Sequence, residues 1–205
     1  MDQNKIAFAL IDPFAGDCGR GFKEWEGVCA ALGSGRQVLI FRKGGVAEDH
    51  GLFVPDRDRF WLYPTRVHEA EQGLREGFGG RSTVENRREI TIDLFARVET
   101  IKRVDDWKTL VNLYSEHIWT EATIRKRFDY REPGLWCMIV RVYRSEPAWS
   151  IAVDAAAAGC KTWVEIPTPT DCVRLNPVID DAEFSERVAR IECKWNGESN
   201  REAAN

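Results

Sequence analysis

Polar and apolar positions along the chain change period several times, and each change marks an element. From Glu89 to Val104 the apolar residues Ile90, Ile92, Leu94, Ala96, Val98 and Ile101 nearly alternate with polar ones. That period predicts a half-buried strand, with a bulge near Thr100 where the alternation slips. Leu135–Arg144 is apolar and rich in β-branched residues and predicts the strongest strand. Val38 to Phe41, within Arg36–Arg42, predicts another, broken by Lys43-Gly44-Gly45. Leu52-Phe53-Val54 and Phe60–Tyr63 follow, the second stopped by Pro64, and Lys161–Ile166 is the last strand. The links among the strands between residues 36 and 63 are too short for parallel crossovers, which predicts an antiparallel meander there.

Helical period appears elsewhere. Phe22, Trp25, Val28, Cys29 and Leu32 predict a helix over Gly21–Leu32, ended by Gly33-Ser34-Gly35. Thr65 is placed to cap a helix carrying Val67 to Arg75, before a Gly-rich loop over 77–88. Asp105 or Asp106 caps a helix with Trp107, Leu110, Val111 and Tyr114 inward, and Thr120 caps another to about Phe128. Residues 145–159 contain an alanine run and read ambiguously. Asp180–Trp195 is amphipathic, with Phe184, Val188 and Ile191 on its apolar face. Hairpin groups with helices between them, without βαβ alternation, predict an α+β fold. Its sheet is mainly antiparallel and of a kind that can close like a barrel, with inserted and flanking helices. The expected division is an extension over 1–20, one α+β domain over 21–167, and a C-terminal helix with a polar tail over 168–205.

Composition narrows the functions. With 43% hydrophobic and 30% charged residues the chain has material for a core. A net charge of -4 excludes polycationic nucleic-acid binding but leaves room for a local basic groove. The longest apolar runs, Ile6–Ile11 and Leu135–Val140, are far shorter than the ~20 residues that span a bilayer. No membrane partner is expected, and the expected location is cytoplasmic. The 6 cysteines show no Cys-x-x-Cys spacing and the 3 histidines are scattered, so neither a metal site nor a disulfide framework is expected. No pattern names a cofactor. Lys and Arg together number 29, with arginine predominating, which suits phosphate or carboxylate recognition; GC-rich codon usage explains it equally well.

Several pieces, in this order, resemble one family. They are Phe22-Lys23-Glu24-Trp25-Glu26, Phe41-Arg42-Lys43-Gly44-Gly45-Val46, and Phe60-Trp61-Leu62-Tyr63-Pro64-Thr65 with His68 close behind. His117-Ile118-Trp119-Thr120, Leu135 to Tyr143 and Ala158 to Val164 complete the set. Over residues 21–167 the chain resembles the bacterial domain-of-unknown-function family 1802. The resemblance implies no activity.

Four of these pieces carry groups suited to an anion. Arg42-Lys43-Gly44-Gly45 ends a strand, and a Gly-Gly turn beside two cations has the chemistry of an anion nest; a solvated hairpin turn is the plainer alternative. It lacks P-loop spacing. Pro64-Thr65-x-x-His68 puts a cap and a titratable ring at an expected helix start. His117 joins two helices. Together with His68 it could bind phosphate or run acid–base chemistry, or simply pack at a corner beside Trp119. Lys161, between Gly159-Cys160 and Thr162-Trp163, enters a strand where a phosphate contact and a stacking Trp163 are in reach. That entry is analogous to those of PUA and ASCH barrels, although the order of elements differs. Glu192-Cys193-Lys194 has the look of a nuclease triplet, but its helical period argues against one, and no Nudix signature is present.

These features predict a binding module for an anionic ligand, a nucleic acid or a nucleotide. A phosphoester hydrolase using His68 and His117, and a non-catalytic protein-partner module, are the alternatives. If one site exists, Lys43, His68 and His117 converge in a cleft lined also by Arg42 and Thr65, with Trp119 behind.

Overall fold

A computed structural model describes residues 19–43, 58–66, 73–77, 88–153, 162–167 and 173–196. The strands are β1 (Arg20–Trp25), β2 (Leu39–Arg42), β3 (Arg59–Thr65), β4 (Glu89–Val104), β5 (Leu135–Ala152), β6 (Trp163–Glu165) and β7 (Arg174–Pro177). The helices are α1 (Glu26–Gly33), α2 (Trp107–Asn112), α3 (Glu121–Asp129) and α4 (Asp181–Trp195). The fold is α+β.

One mixed sheet runs in the order β2-β5-β4-β3-β1-β6, and β7 also pairs with β5. All pairs are antiparallel except β1 with β3. In a flat sheet β2 and β1 would lie four strand spacings apart, about 19 Å. Instead the Arg42 guanidinium on β2 lies 4.3 Å from the Phe22 ring centre on β1. The sheet is therefore curled into a half-barrel, and its concave core brings Phe22, Phe41, Phe60, Leu39 and Val140 together with Trp119. A second buried cluster gathers Trp61, Tyr63, Phe95 and Tyr143.

Four expectations are corrected. The helix over Gly21–Leu32 is a strand followed by a helix, since Arg20–Trp25 forms β1 and only Glu26–Gly33 is helical. Phe22, Lys23, Glu24 and Trp25 are all buried, and a strand covered on both faces shows no alternation by which to recognise it. The antiparallel meander is absent, because β5 and β4 stand between β2 and β3. Pro64 does not stop its strand. β3 runs through it to Thr65, opposite Glu24 and Trp25, where β3 has already parted from β4 beyond the pair Trp61–Phe95. A missing N–H costs little on such an unpaired edge. Thr65 is therefore the last residue of β3, and the residues it was expected to cap lie beyond Arg66, outside the described ones. Leu74 bridges to Trp119, and Arg75 N–H donates to the Ile118 carbonyl at 2.8 Å, so the expected helix does not reach those residues. The rest of that helix and the strand at 52–54 lie outside the described residues.

Val111 and Tyr114, expected inward beside Leu110, are exposed instead, since α2 ends at Asn112 and only Leu110 of the three is buried. Elsewhere local signals and structure agree. β4 spans Glu89–Val104, with register shifts between Ile92 and Leu94 and between Val98 and Thr100. Asp106, Thr120 and Asp180 each cap their helix through the side chain. The helix α4 is held at both ends. Arg141, 4% exposed, donates to Asp181 Oδ1 at 2.6 Å and to the Asp180 carbonyl at 3.1 Å. Glu116, 8% exposed, accepts from Arg190 and Lys194 near the other end. Ile191 and Trp195 complete the core beneath it.

Candidate functional site

Curling of the sheet places the end of β2 against the end of β1, and a charged cluster forms where they meet. Arg42 donates through Nη2 to the Lys23 carbonyl, and the same nitrogen lies 3.2 Å from Glu24 Oε2. Glu24 is 2% exposed, and its other oxygen accepts from Trp25 N–H at 2.9 Å. Two buried polar atoms in this pair have no hydrogen-bond partner: Arg42 Nε, a donor, and Glu24 Oε2, an acceptor. Arg127, from α3, stacks on Trp25 with its guanidinium carbon 4.1 Å from the ring centre. Burial lowers the Arg127 pKa to about 10; Glu24 opposes the shift and Arg42 adds to it.

Aromatic rings floor this mouth. Phe22 stacks on Phe60 with centroids 4.6 Å apart, and Trp163 meets both edge-on at 5.0 and 5.5 Å. Trp163 faces Phe22 across the β1–β6 pair and is only half-buried. Phe22 and Phe60 are buried, and the half-buried Trp163 beside a guanidinium suits a planar anion-bearing ligand, by stacking on the indole and by hydrogen bonding to the cation.

Of the residues expected from sequence, Arg42 and the stacking Trp163 are at this mouth. Lys43 is next to Arg42 in the chain but turns to the C-terminal end of α3, where Nζ donates to the carbonyls of Phe128, Glu132 and Gly134. A cation there meets the negative end of the helix. Its pKa is lowered by burial and by the nearby Arg103, against the pull of Glu132, Asp129 and Asp105. Lys43 thus holds carbonyls in this structure, where a nest would hold an anion. Thr65 ends β3. Gly44, Gly45, His68 and Lys161 lie outside the described residues, and with His68 the three-way convergence lies outside them too.

His117 sits in the core at 1% exposure, its ring edge-on to Phe41 at 5.1 Å and tilted to Trp119 at 5.6 Å. Neither ring nitrogen has a partner. Burial and Arg75 push its pKa down to about 3, opposed by Glu116, so the ring is neutral at physiological pH. Trp119 is fully buried against Phe41.

Sequence reasoning passed over Glu24 and Arg127. The available signal at Glu24 was a carboxylate framed by Phe22 and Trp25 with no polar alternation; Arg127 carried no signal beyond its place on a polar helix.

A second opening lies where β3 and β4 part. It is a cleft of about 770 Å³ whose lining includes Glu26, Cys29, Asp93, Arg144 and Ser150. Two of its carboxylates are matched, Glu26 by Arg66 and Asp93 by Arg144, and Arg144 also donates to the Gly33 carbonyl at 2.7 Å. Among the described residues no three His, Cys, Asp or Glu side chains are grouped to hold a metal ion, and Cys137 is a buried free thiol. No helix among them is long and apolar enough to cross a membrane.

A family model described as "Domain of unknown function (DUF1802)" matches residues 21–190, from β1 into α4. No curated protein matches the chain. Among solved structures, the crystal structure of ASCH from Zymomonas mobilis is similar at 15% identity and a TM-score of 0.44, covering 83% of this chain and 92% of that one. A serine-to-alanine mutant of the same protein is similar at 15% identity and 0.42, covering 83% and 94%.

Proposed function

This chain belongs to the DUF1802 family, whose description carries no activity, and from the site itself we propose a binding module for an anionic ligand, a nucleotide or a nucleic acid strand. The ligand is held at the mouth of the half-barrel, with Arg42 as its principal donor. The observation that carries this reading is the buried Nε–H of Arg42, which has no acceptor. A buried donor left unsatisfied costs about 1–3 kcal/mol, and more on a charged group. An incoming phosphate or carbonyl oxygen removes that cost. The half-buried Trp163 beside Phe22 supplies stacking surface.

The test is fluorescence anisotropy with fluorescein-labelled single-stranded RNA and DNA, at several salt concentrations. Affinity is expected to fall with salt, at a slope of roughly 0.7 per phosphate contacted. Arg42→Lys keeps a positive charge beside the buried Glu24 but removes the Nε–H, and is expected to weaken binding about tenfold. An Arg42→Lys protein that binds as tightly as the parent refutes the reading. The hydrolase alternative gains no observation here, because His117 is enclosed and neutral.

A further inference from the structure

The two unsatisfied atoms at the barrel mouth are of opposite kinds and sit side by side. Arg42 Nε is a donor in need of an acceptor, and Glu24 Oε2 is an acceptor in need of a donor. The guanidinium and the carboxylate already touch, at 3.2 Å between Arg42 Nη2 and Glu24 Oε2. A phosphate alone satisfies only the first, and it would bring a third negative oxygen toward the second. A bare counter-ion role for Glu24 leaves the second unexplained.

A ligand edge that carries an N–H donor directly beside an acceptor satisfies both. We propose that the Glu24–Arg42 pair reads the hydrogen-bonding edge of an amino-bearing nucleobase, with Glu24 accepting from the exocyclic amine and Arg42 donating to the neighbouring ring nitrogen or carbonyl. The proposal rests on the nucleotide reading above and deepens it at the same site. Cytosine offers an amine beside a ring nitrogen, adenine does the same, and guanine offers N–H groups beside a carbonyl. Uracil does not fit as well. Its one N–H is flanked on both sides by carbonyl oxygens, so a carbonyl always faces the carboxylate. The surrounding rings agree with a base as the inserted group. Phe22 lies under the guanidinium, and Trp163 stands across the strand pair from Phe22 and is half-buried. Glu24 lies on the same face of β1 as Phe22, two residues on, so the carboxylate and the guanidinium that covers the ring share one side of the strand.

Isothermal titration of the full chain with CMP, AMP, GMP, UMP and inorganic phosphate tests this without any variant. CMP, AMP and GMP are expected to bind about tenfold or more tightly than UMP, and phosphate more weakly than any of them. In Glu24→Gln the preference over UMP is expected to collapse to a few-fold, because an amide presents its own N–H groups as readily as its oxygen. A UMP affinity equal to the others in the parent protein overturns the base-reading role and leaves anion binding standing. So does a Glu24→Gln protein that binds all four nucleotides and phosphate more tightly by a common factor, for then Glu24 is only the counter-ion of Arg42. If neither nucleotides nor phosphate bind, the anion reading falls as well. Parallel titrations with cytidine and uridine decamers separate the sources of the base. A cytidine decamer much tighter than CMP supports the proposal with a strand as ligand, and equal affinities support it with a free nucleotide. Decamers bound alike overturn it.

Discussion

Glu116→Gln removes one charge from the clamp on α4 and nearly nothing else. In the parent protein Glu116 accepts from Arg190 Nε and Nη2 at 3.0 Å each and from Lys194 Nζ at 2.6 Å. Burial alone would raise its pKa, but these hydrogen bonds and the two positive charges override it and pull the value from 4.5 down to about 2. At about 1.4 kcal/mol per unit, that shift has a ceiling of about 3 kcal/mol. Arg190 is 48% exposed along its side chain, so water and salt screen part of the attraction, and about 2 kcal/mol is the expected loss. A urea melt reads it directly. With an m-value of roughly 3 kcal/mol/M, the midpoint should fall by about 0.7 M at pH 7. The pH dependence is the sharper arm. A carboxylate with a depressed folded pKa contributes its full stability above 4.5 and loses it as pH falls toward 2. At pH 3 roughly two-fifths of the difference between parent and Glu116→Gln should remain. A difference that stays constant from pH 6 to pH 3 would refute the ion-pair account and leave only a packing effect.

Two further substitutions probe residues whose sequence-based expectation was a ligand contact. His117→Phe replaces a buried ring whose nitrogens have no partner, so stability at pH 7 is expected to hold within about 1 kcal/mol or rise. Because the folded pKa lies near 3 and the unfolded one near 6.5, the unfolded chain takes the proton first. Parent stability therefore drops as pH falls below 6.5, by up to ~1.4 kcal/mol per unit, and thermal melts of His117→Phe should lose that slope. An equally steep slope in the variant would show that His117 is not its source. Lys43→Met deletes the donor to three carbonyls at the end of α3 and is expected to lower stability by about 1–3 kcal/mol in chemical denaturation, with nucleotide affinity changed less than twofold. A stable Lys43→Met protein with tenfold weaker binding would contradict the placement of Lys43 away from the ligand.

The elements legible in the sequence are those with one buried face. β4 alternates over its whole length, and α4 carries Phe184, Val188 and Ile191 at helical spacing, so each announces its period. β1 is buried on both faces and borrows a helical spacing from α1, which follows it directly. β5 reads correctly to Arg144 but continues to Ala152, because β4 and β7 pair with a stretch whose side chains are mostly exposed. β7 itself, Arg174–Pro177, has the composition of a turn and is a strand only through β5. Sheet order is equally silent in local pattern. The parallel pairing of β1 with β3 is set by curling and by the core that fills it, not by loop length.

The same division governs the site. Arg42 is readable because a cation at a strand end followed by Gly-Gly is a local pattern. Glu24 is unreadable because its meaning comes from residue 42, reached only when a curled sheet brings β2 to β1. His117 shows the converse. Its sequence position at a helix junction suggests an accessible titratable ring, while the fold seals it between Phe41 and Trp119. Burial then removes the proton that acid–base chemistry would need. What separates the two residues is solvent access, which depends on long-range packing. Arg42 keeps an exposed edge, at 18% of its side chain, and an unsatisfied N–H, while His117 keeps unsatisfied nitrogens with no exposed edge. An unsatisfied polar atom marks a binding site where its own side chain also reaches the surface, and on that criterion Arg42 qualifies and the buried histidine does not.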